Sequence, residues 1–96
     1  MRGIARLGDK CKGTCRAHKN PIEVEGIIIS ASGDAFMNGR GIARLGDRVR
    51  AECGHEGVIV SASPNAFVDG RPHARLGDQF QGDYTGIIIS ASSDGY

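Results

Sequence analysis

One octapeptide, Arg-x-x-Ala-Arg-Leu-Gly-Asp, occurs three times in this chain: RGIARLGD at 2–9 and 40–47, and RPHARLGD at 71–78. Each copy is followed by a second string, GIIISAS at 26–32, GVIVSAS at 57–63 and GIIISAS at 86–92. A third string follows the first two of these, GDAFMNG at 33–39 and PNAFVDG at 64–70. Repetition at this scale decides architecture first, because a unit this small cannot bury its own apolar face and must stack on its neighbours. The simplest body is one domain over 1–96 with pseudo-threefold symmetry, its repeats running approximately 2–39, 40–70 and 71–96. The third copy stops at 92–96 without the Ala-Phe segment that precedes the other octapeptides, and nothing precedes the first octapeptide but Met1. A closed ring in which the N-terminal segment completes the last unit accounts for both ends. An open solenoid would want distinct capping repeats.

Local chemistry makes this body all-β. GIIISAS and GVIVSAS are β-branched and opened by Gly, which reads as a strand. Alternation puts Ile27 and Ile29 on one face and Ile28 and Ser30 on the other. Ala35-Phe36-Met37, Asn38-Gly39 and Arg40-Gly41-Ile42 read as a hairpin with a two-residue turn, and Ala66-Phe67-Val68, Asp69-Gly70 and Arg71-Pro72 repeat it. Leu-Gly-Asp marks a further turn in each copy. No segment sustains a 3.6-residue apolar period, so helix is not expected.

The core available to such a chain is small. Tryptophan is absent, aromatics make up 5% and fifteen residues are glycine. Short chains of this kind lean on metals or partners. The formal charge is +1, from twelve basic and eleven acidic residues without a like-charge block. Broad attraction to nucleic acid or to an anionic membrane is not expected. No apolar run approaches a membrane span, and the N-terminus carries no apolar signal-peptide core, so synthesis in the cytoplasm is expected. Three cysteines, an odd number, argue against a disulfide framework and, beside histidine, for metal ligation.

The three copies differ mainly between Gly-Asp and the next Gly-Ile or Gly-Val. That gap holds sixteen residues in the first repeat (10–25), nine in the second (48–56) and seven in the third (79–85). The gaps contain Cys11, Cys15, Cys53, His18 and His55, which makes the repeated strings scaffold and the gaps the site. Cys53-Gly54-His55 would share a face if extended. Cys15-Arg16-Ala17-His18 is an acceptable ligand spacing, and His73 interrupts the third octapeptide.

Order and spacing of all three strings resemble the PAAR-repeat family over nearly the whole chain. The name motif, Pro-Ala-Ala-Arg, stands here as Gly3-Ile4-Ala5-Arg6, Gly41-Ile42-Ala43-Arg44 and Pro72-His73-Ala74-Arg75; the first two copies lack the proline. The resemblance implies a pseudo-threefold cone of short β-strands and hairpins. Its base would sit on a trimeric spike of the VgrG kind in a type VI secretion system, or on a contractile phage tail, and its tip would help to pierce a target envelope. It also implies a structural zinc near the apex. The family pattern of one Cys with three His selects His18, Cys53, His55 and His73, with Cys15 as the substitute ligand and Cys11 the least suited. The Ile-rich strands, Ile27, Ile28, Ile29, Val58, Ile59, Val60, Ile87, Ile88 and Ile89, are either inner core or a partner-facing base, and because a triple-Ile strand cannot hide both faces in so small a body, some of them are expected to supply that base. The chain itself would be a monomer, delivered with the spike to the exterior or into target cells, without a fused toxin domain and with separate effectors as further partners.

Two rival classes are weighed beside this one. A small zinc enzyme would need an open coordination position and a base, for which Glu52 and Glu56 flank Cys53 and His55. A free-standing module for another symmetric protein would need only the base. The threefold Arg/Asp pairs, Arg6/Asp9, Arg44/Asp47 and Arg75/Asp78, read as turn scaffold, since catalysis would need only one copy. Gly39-Arg40-Gly41-Ile42-Ala43-Arg44 begins like a dinucleotide fingerprint but has Arg at the position of the third Gly and no helix after it.

Overall fold

Six strands close into an antiparallel barrel in the computed structural model, which describes residues 3–37, 39–63, 66–68 and 70–91. The barrel strands are β1 (Lys10–Cys15), β2 (Ile22–Ile28), β5 (Arg48–Ala51), β6 (Glu56–Ile59), β9 (Gln79–Gly82) and β10 (Tyr84–Ile88), in the order β1-β10-β9-β6-β5-β2. Three hairpins, β1–β2, β5–β6 and β9–β10, thus stand side by side around one axis, each pairing with the next. Two small hairpins, β3 (Phe36–Met37) with β4 (Arg40–Gly41) and β7 (Phe67–Val68) with β8 (Arg71–Pro72), complete the described strands. There is no helix among the described residues, and the body is elongated, 38 × 24 × 22 Å. The all-β, threefold expectation holds. Asn38 and Asp69, on which the expected turns rest, lie outside the described residues, as do Arg2 and 92–96; Gly39 and Gly70 beside the turns have φ of 77° and 76°.

The gaps turn out to be the barrel hairpins themselves. Strands β2, β6 and β10 begin before the Gly-Ile or Gly-Val of their strings and end at Ile28, Ile59 and Ile88. Strands β1, β5 and β9 lie wholly within the gaps. Their alternation is visible once sought: Arg48-Val49-Arg50-Ala51 buries Val49 and Ala51, and Gln79-Phe80-Gln81 buries Phe80. Polar outward residues hid these strands from a reading led by apolar content.

The octapeptides close the barrel at one end. The Ala5 N–H donates to the Ala74 carbonyl (3.0 Å), Ala43 to Ala5 (3.0 Å) and Ala74 to Ala43 (2.8 Å), a cycle of three backbone hydrogen bonds about the axis. All three alanines have no exposed surface, so a larger side chain would have to displace the ring. After each alanine, an Arg-Leu-Gly-Asp turn is closed by Asp N–H to Arg carbonyl at 3.0 Å, with Gly8, Gly46 and Gly77 at φ of 84°, 89° and 86°. Positive φ at the third turn position is the type II geometry that favours glycine.

Each aspartate then ties its own repeat to at least one other. Asp47 accepts from the Arg44 backbone N–H and guanidinium within its own turn, from the Ser30 hydroxyl at 2.8 Å, and from Arg71 of the next repeat at 3.5 Å. Asp9 holds Arg6, Ser90 and Arg40, and Asp78 holds Arg75 and Ser61. Burial opposes the charge on Asp47, but Arg44 and Ser30 outweigh it and hold the carboxyl below its ordinary value; Arg75 and Ser61 do the same for Asp78.

The barrel interior holds Ile28, Ile59, Ile88, Val49, Phe80, Tyr84, Cys11 and Cys15. Phe80 and Tyr84 rings meet at 4.7 Å, and the Tyr84 hydroxyl donates to the Val24 carbonyl at 2.7 Å. Two of the chain's five aromatics therefore fill a bore too narrow for more. Gly26, Gly57 and Gly86 open each string where strands come closest. A Cβ there would strike the carbonyl of Arg50, Tyr84 and Lys12 respectively.

Candidate metal centre

Four side chains gather where the barrel hairpins turn, at the end away from the alanine ring. Cys15 is the last residue of β1 and is fully buried. His18 lies in the connection from β1 to β2. Cys53 and His55 lie in the tight turn between β5 and β6, where Gly54 N–H donates to Ala51 O and Ala51 N–H to His55 O, both at 2.8 Å. One donor atom from each of Cys15, His18, Cys53 and His55 lies within 4.8 Å of the others. The third tip, at Asp83, contributes no thiol or imidazole but is tied to the first by Arg16 N–H to Asp83 O at 2.7 Å.

The geometry suits a small, tetrahedral ion. His55 Nδ1 lies 3.4 Å from Cys15 Sγ and 3.4 Å from Cys53 Sγ. The edge of a tetrahedron built on zinc–nitrogen and zinc–sulfur bonds of ~2.0–2.3 Å is about 3.5 Å. The His18 and His55 rings meet edge to face, with centroids 5.1 Å apart. His18 Nε2 is buried and has no hydrogen-bond partner, which is costly for a polar nitrogen unless something else engages it. The thiols differ. Burial raises Cys15, whereas the His18 side chain, then the backbone N–H and ring of His55, push Cys53 down to about 6. A thiol shifted this way presents the thiolate that a metal needs.

His18, Cys53 and His55, expected from sequence, are brought together here. His73 is not among them, and Cys15 stands in the fourth place instead. His73 occupies the position of Ile4 and Ile42 in the octapeptide, beside the alanine ring; it bridges Arg44, and its Nδ1 lies 3.2 Å from the Ala74 carbonyl. It is a scaffold residue at the other end of the barrel. The signal that separates it from Cys15 was present: Cys15 lies in a gap, His73 in a repeated string. Cys53 and His55 converge through a turn, with Gly54 at φ 96°, and not through an extended strand. Cys11 stands apart, its Sγ 3.9 Å from the Tyr84 hydroxyl, with burial raising its pKa to about 11.

The expected partner face divides as well. Ile28, Ile59 and Ile88 are core, because the middle residue of each string points into the bore. Ile27, Val58 and Ile87 face outward from the barrel wall, and Ile29, Val60 and Ile89 follow the strand ends, from half-buried to exposed. The most exposed large apolar side chains among the described residues are Phe36 (59%) and Phe67 (61%), on the two small hairpins beside the alanine ring. Apolar-run reasoning overlooked them, although both stand in the same place of the third repeated string.

The structure is thus a closed threefold β-barrel that carries at one end a Cys/His cluster able to hold a metal ion. The PAAR motif family matches residues 19–83, well over half of the chain, and the chain belongs to that family. No curated protein matches it.

Proposed function

We propose that this protein is the tip of a trimeric spike of the VgrG kind, held together at its apex by a structural zinc ion. The cyclic alanine ring carries this reading, because it gives a single chain a threefold end that a threefold partner can match. Phe36 and Phe67 add exposed apolar surface on that side, of the kind that marks interaction sites. Zinc at Cys15, His18, Cys53 and His55 would cross-link the β1–β2 and β5–β6 tips, where two loops and a turn leave little apolar surface to pack. Four protein donors fill a tetrahedral ion, which favours a structural role over an enzymatic one. The chain would be carried with its spike out of the producing cell, and effectors would ride on the same assembly.

The deciding experiment measures binding of the full chain to a trimeric VgrG spike. The wild type is expected to bind one copy per trimer. Phe36→Glu combined with Phe67→Glu is expected to abolish binding with zinc content unchanged. Failure of the wild type to bind any trimeric spike would overturn the tip assignment, and full binding by the double variant would overturn the docking face.

A further inference from the structure

The apical donor set contains two thiols, and a pair of thiols has chemistry that a pair of imidazoles lacks. Cys15 and Cys53 offer sulfurs within 4.8 Å of each other, from elements 38 residues apart in the chain (53 − 15). A disulfide needs sulfurs about 2.0 Å apart. The remaining gap is no larger than the roughly 3 Å by which one χ1 step moves a cysteine sulfur. Cys53 is exposed, next to Gly54, whose surroundings are open within 4 Å. Cys11 cannot compete. It lies four residues before Cys15 on the same strand, about 13 Å away at the usual strand rise, and is shut inside the barrel.

We infer that Cys15 and Cys53 form a reversible thiol–disulfide pair, closed by peroxide-class oxidants, that cross-links the end of β1 to the β5–β6 turn in place of the metal. The Cys53 thiolate attacks one oxygen of hydrogen peroxide, breaks the O–O bond and releases hydroxide, leaving a sulfenic acid. The Cys15 sulfur then attacks the Cys53 sulfur and displaces its hydroxyl, which leaves as water with the Cys15 proton. Two electrons pass from the thiols to the peroxide, and a small dithiol reverses the exchange. The disulfide sulfurs are no longer thiolate donors, so metal and cross-link exclude each other. Either one joins the same two elements.

The pairing rests on the geometry of the thiols alone; only the coupled release of metal rests on the zinc reading. Full-length chain, reduced and stripped of metal, is titrated with hydrogen peroxide. Free thiols are expected to fall from three to one, non-reducing peptide mapping to join Cys15 to Cys53, and dithiothreitol to restore all three. Cys53→Ser, an exposed change that spares the core, is expected to form no internal cross-link. Zinc-loaded wild type is expected to release its ion in step with thiol loss. A link through Cys11, a covalent dimer, or a monomer with oxidised but unlinked sulfurs would overturn the pairing. Pairing in a chain that takes up no zinc would support the disulfide while removing the metal reading.

Discussion

His55 is the hinge of the apical cluster, since its Nδ1 lies 3.4 Å from both sulfurs. Replacing it with Ala removes a donor and leaves the thiols without a bridge. Zinc affinity should fall by more than the about 10–100-fold typical of outer-shell changes, and the melting temperature should fall with it. His73→Ala should leave metal stoichiometry unchanged, as read by elemental analysis of the purified chain. That contrast also measures how much of the site was legible in sequence. All four clustered residues lie in the unequal gaps, where the copies stop matching. Cys15 stood only as the substitute, because the family's ligand count put His73 ahead of it. Asp47 and Asp78 make a second residue-scale case. Their folded pKa values are depressed, so their stabilisation is complete above the unfolded value of about 4 and is lost as pH falls through the folded value. Metal-free protein should hold its melting temperature from about pH 7 to 5 and lose it below about pH 4. Asp47→Asn should flatten that acid limb in a pH series of thermal melts.

At the scale of elements, the opening glycine of each β-branched string is what lets neighbouring strands close. Gly86→Ala would drive a methyl into the Lys12 carbonyl and against Gly13 on β1. Overpacking against backbone commonly costs about 1–3 kcal/mol, and here the whole β1–β10 seam must shift to relieve it. Denaturant unfolding should show a loss at or beyond the upper end of that range. Substituting the outward-facing Ile87 with Thr should stay within about 0.5 kcal/mol of wild type. The strings themselves were readable as strands and the Leu-Gly-Asp segments as turns, because β-branching and glycine act locally. Strands β1, β5 and β9 were not, since Lys10, Lys12, Arg48, Arg50, Gln79 and Gln81 face water and mask the buried residues between them. Which residues of each apolar string face outward was unreadable for a related reason. Hydrophobicity alone cannot tell which of three consecutive apolar residues points inward, whereas pleat and register do.

For the whole molecule, two closures at opposite ends act on the same barrel. Hydrogen bonds and Arg–Asp pairs join all three repeats at one end, while the Cys/His cluster joins only two hairpin tips at the other. On the proposed zinc reading, chelation should therefore lower thermal stability and loosen the tips first. Hydrogen exchange should show lost protection at residues 16–21 and 52–55, with Ala5, Ala43 and Ala74 still protected.

Copy number in solenoid arrays can drift, because each added unit meets the same neighbour as the last. The alanine ring forbids that here. Deleting a repeat would strand an N–H and a carbonyl at the axis, and inserting one would open a hole that no methyl group could span. Any lineage built on this ring must then diversify by lengthening and shortening its hairpins, with the number of units frozen. The gaps of sixteen, nine and seven residues show that kind of variation within a single chain.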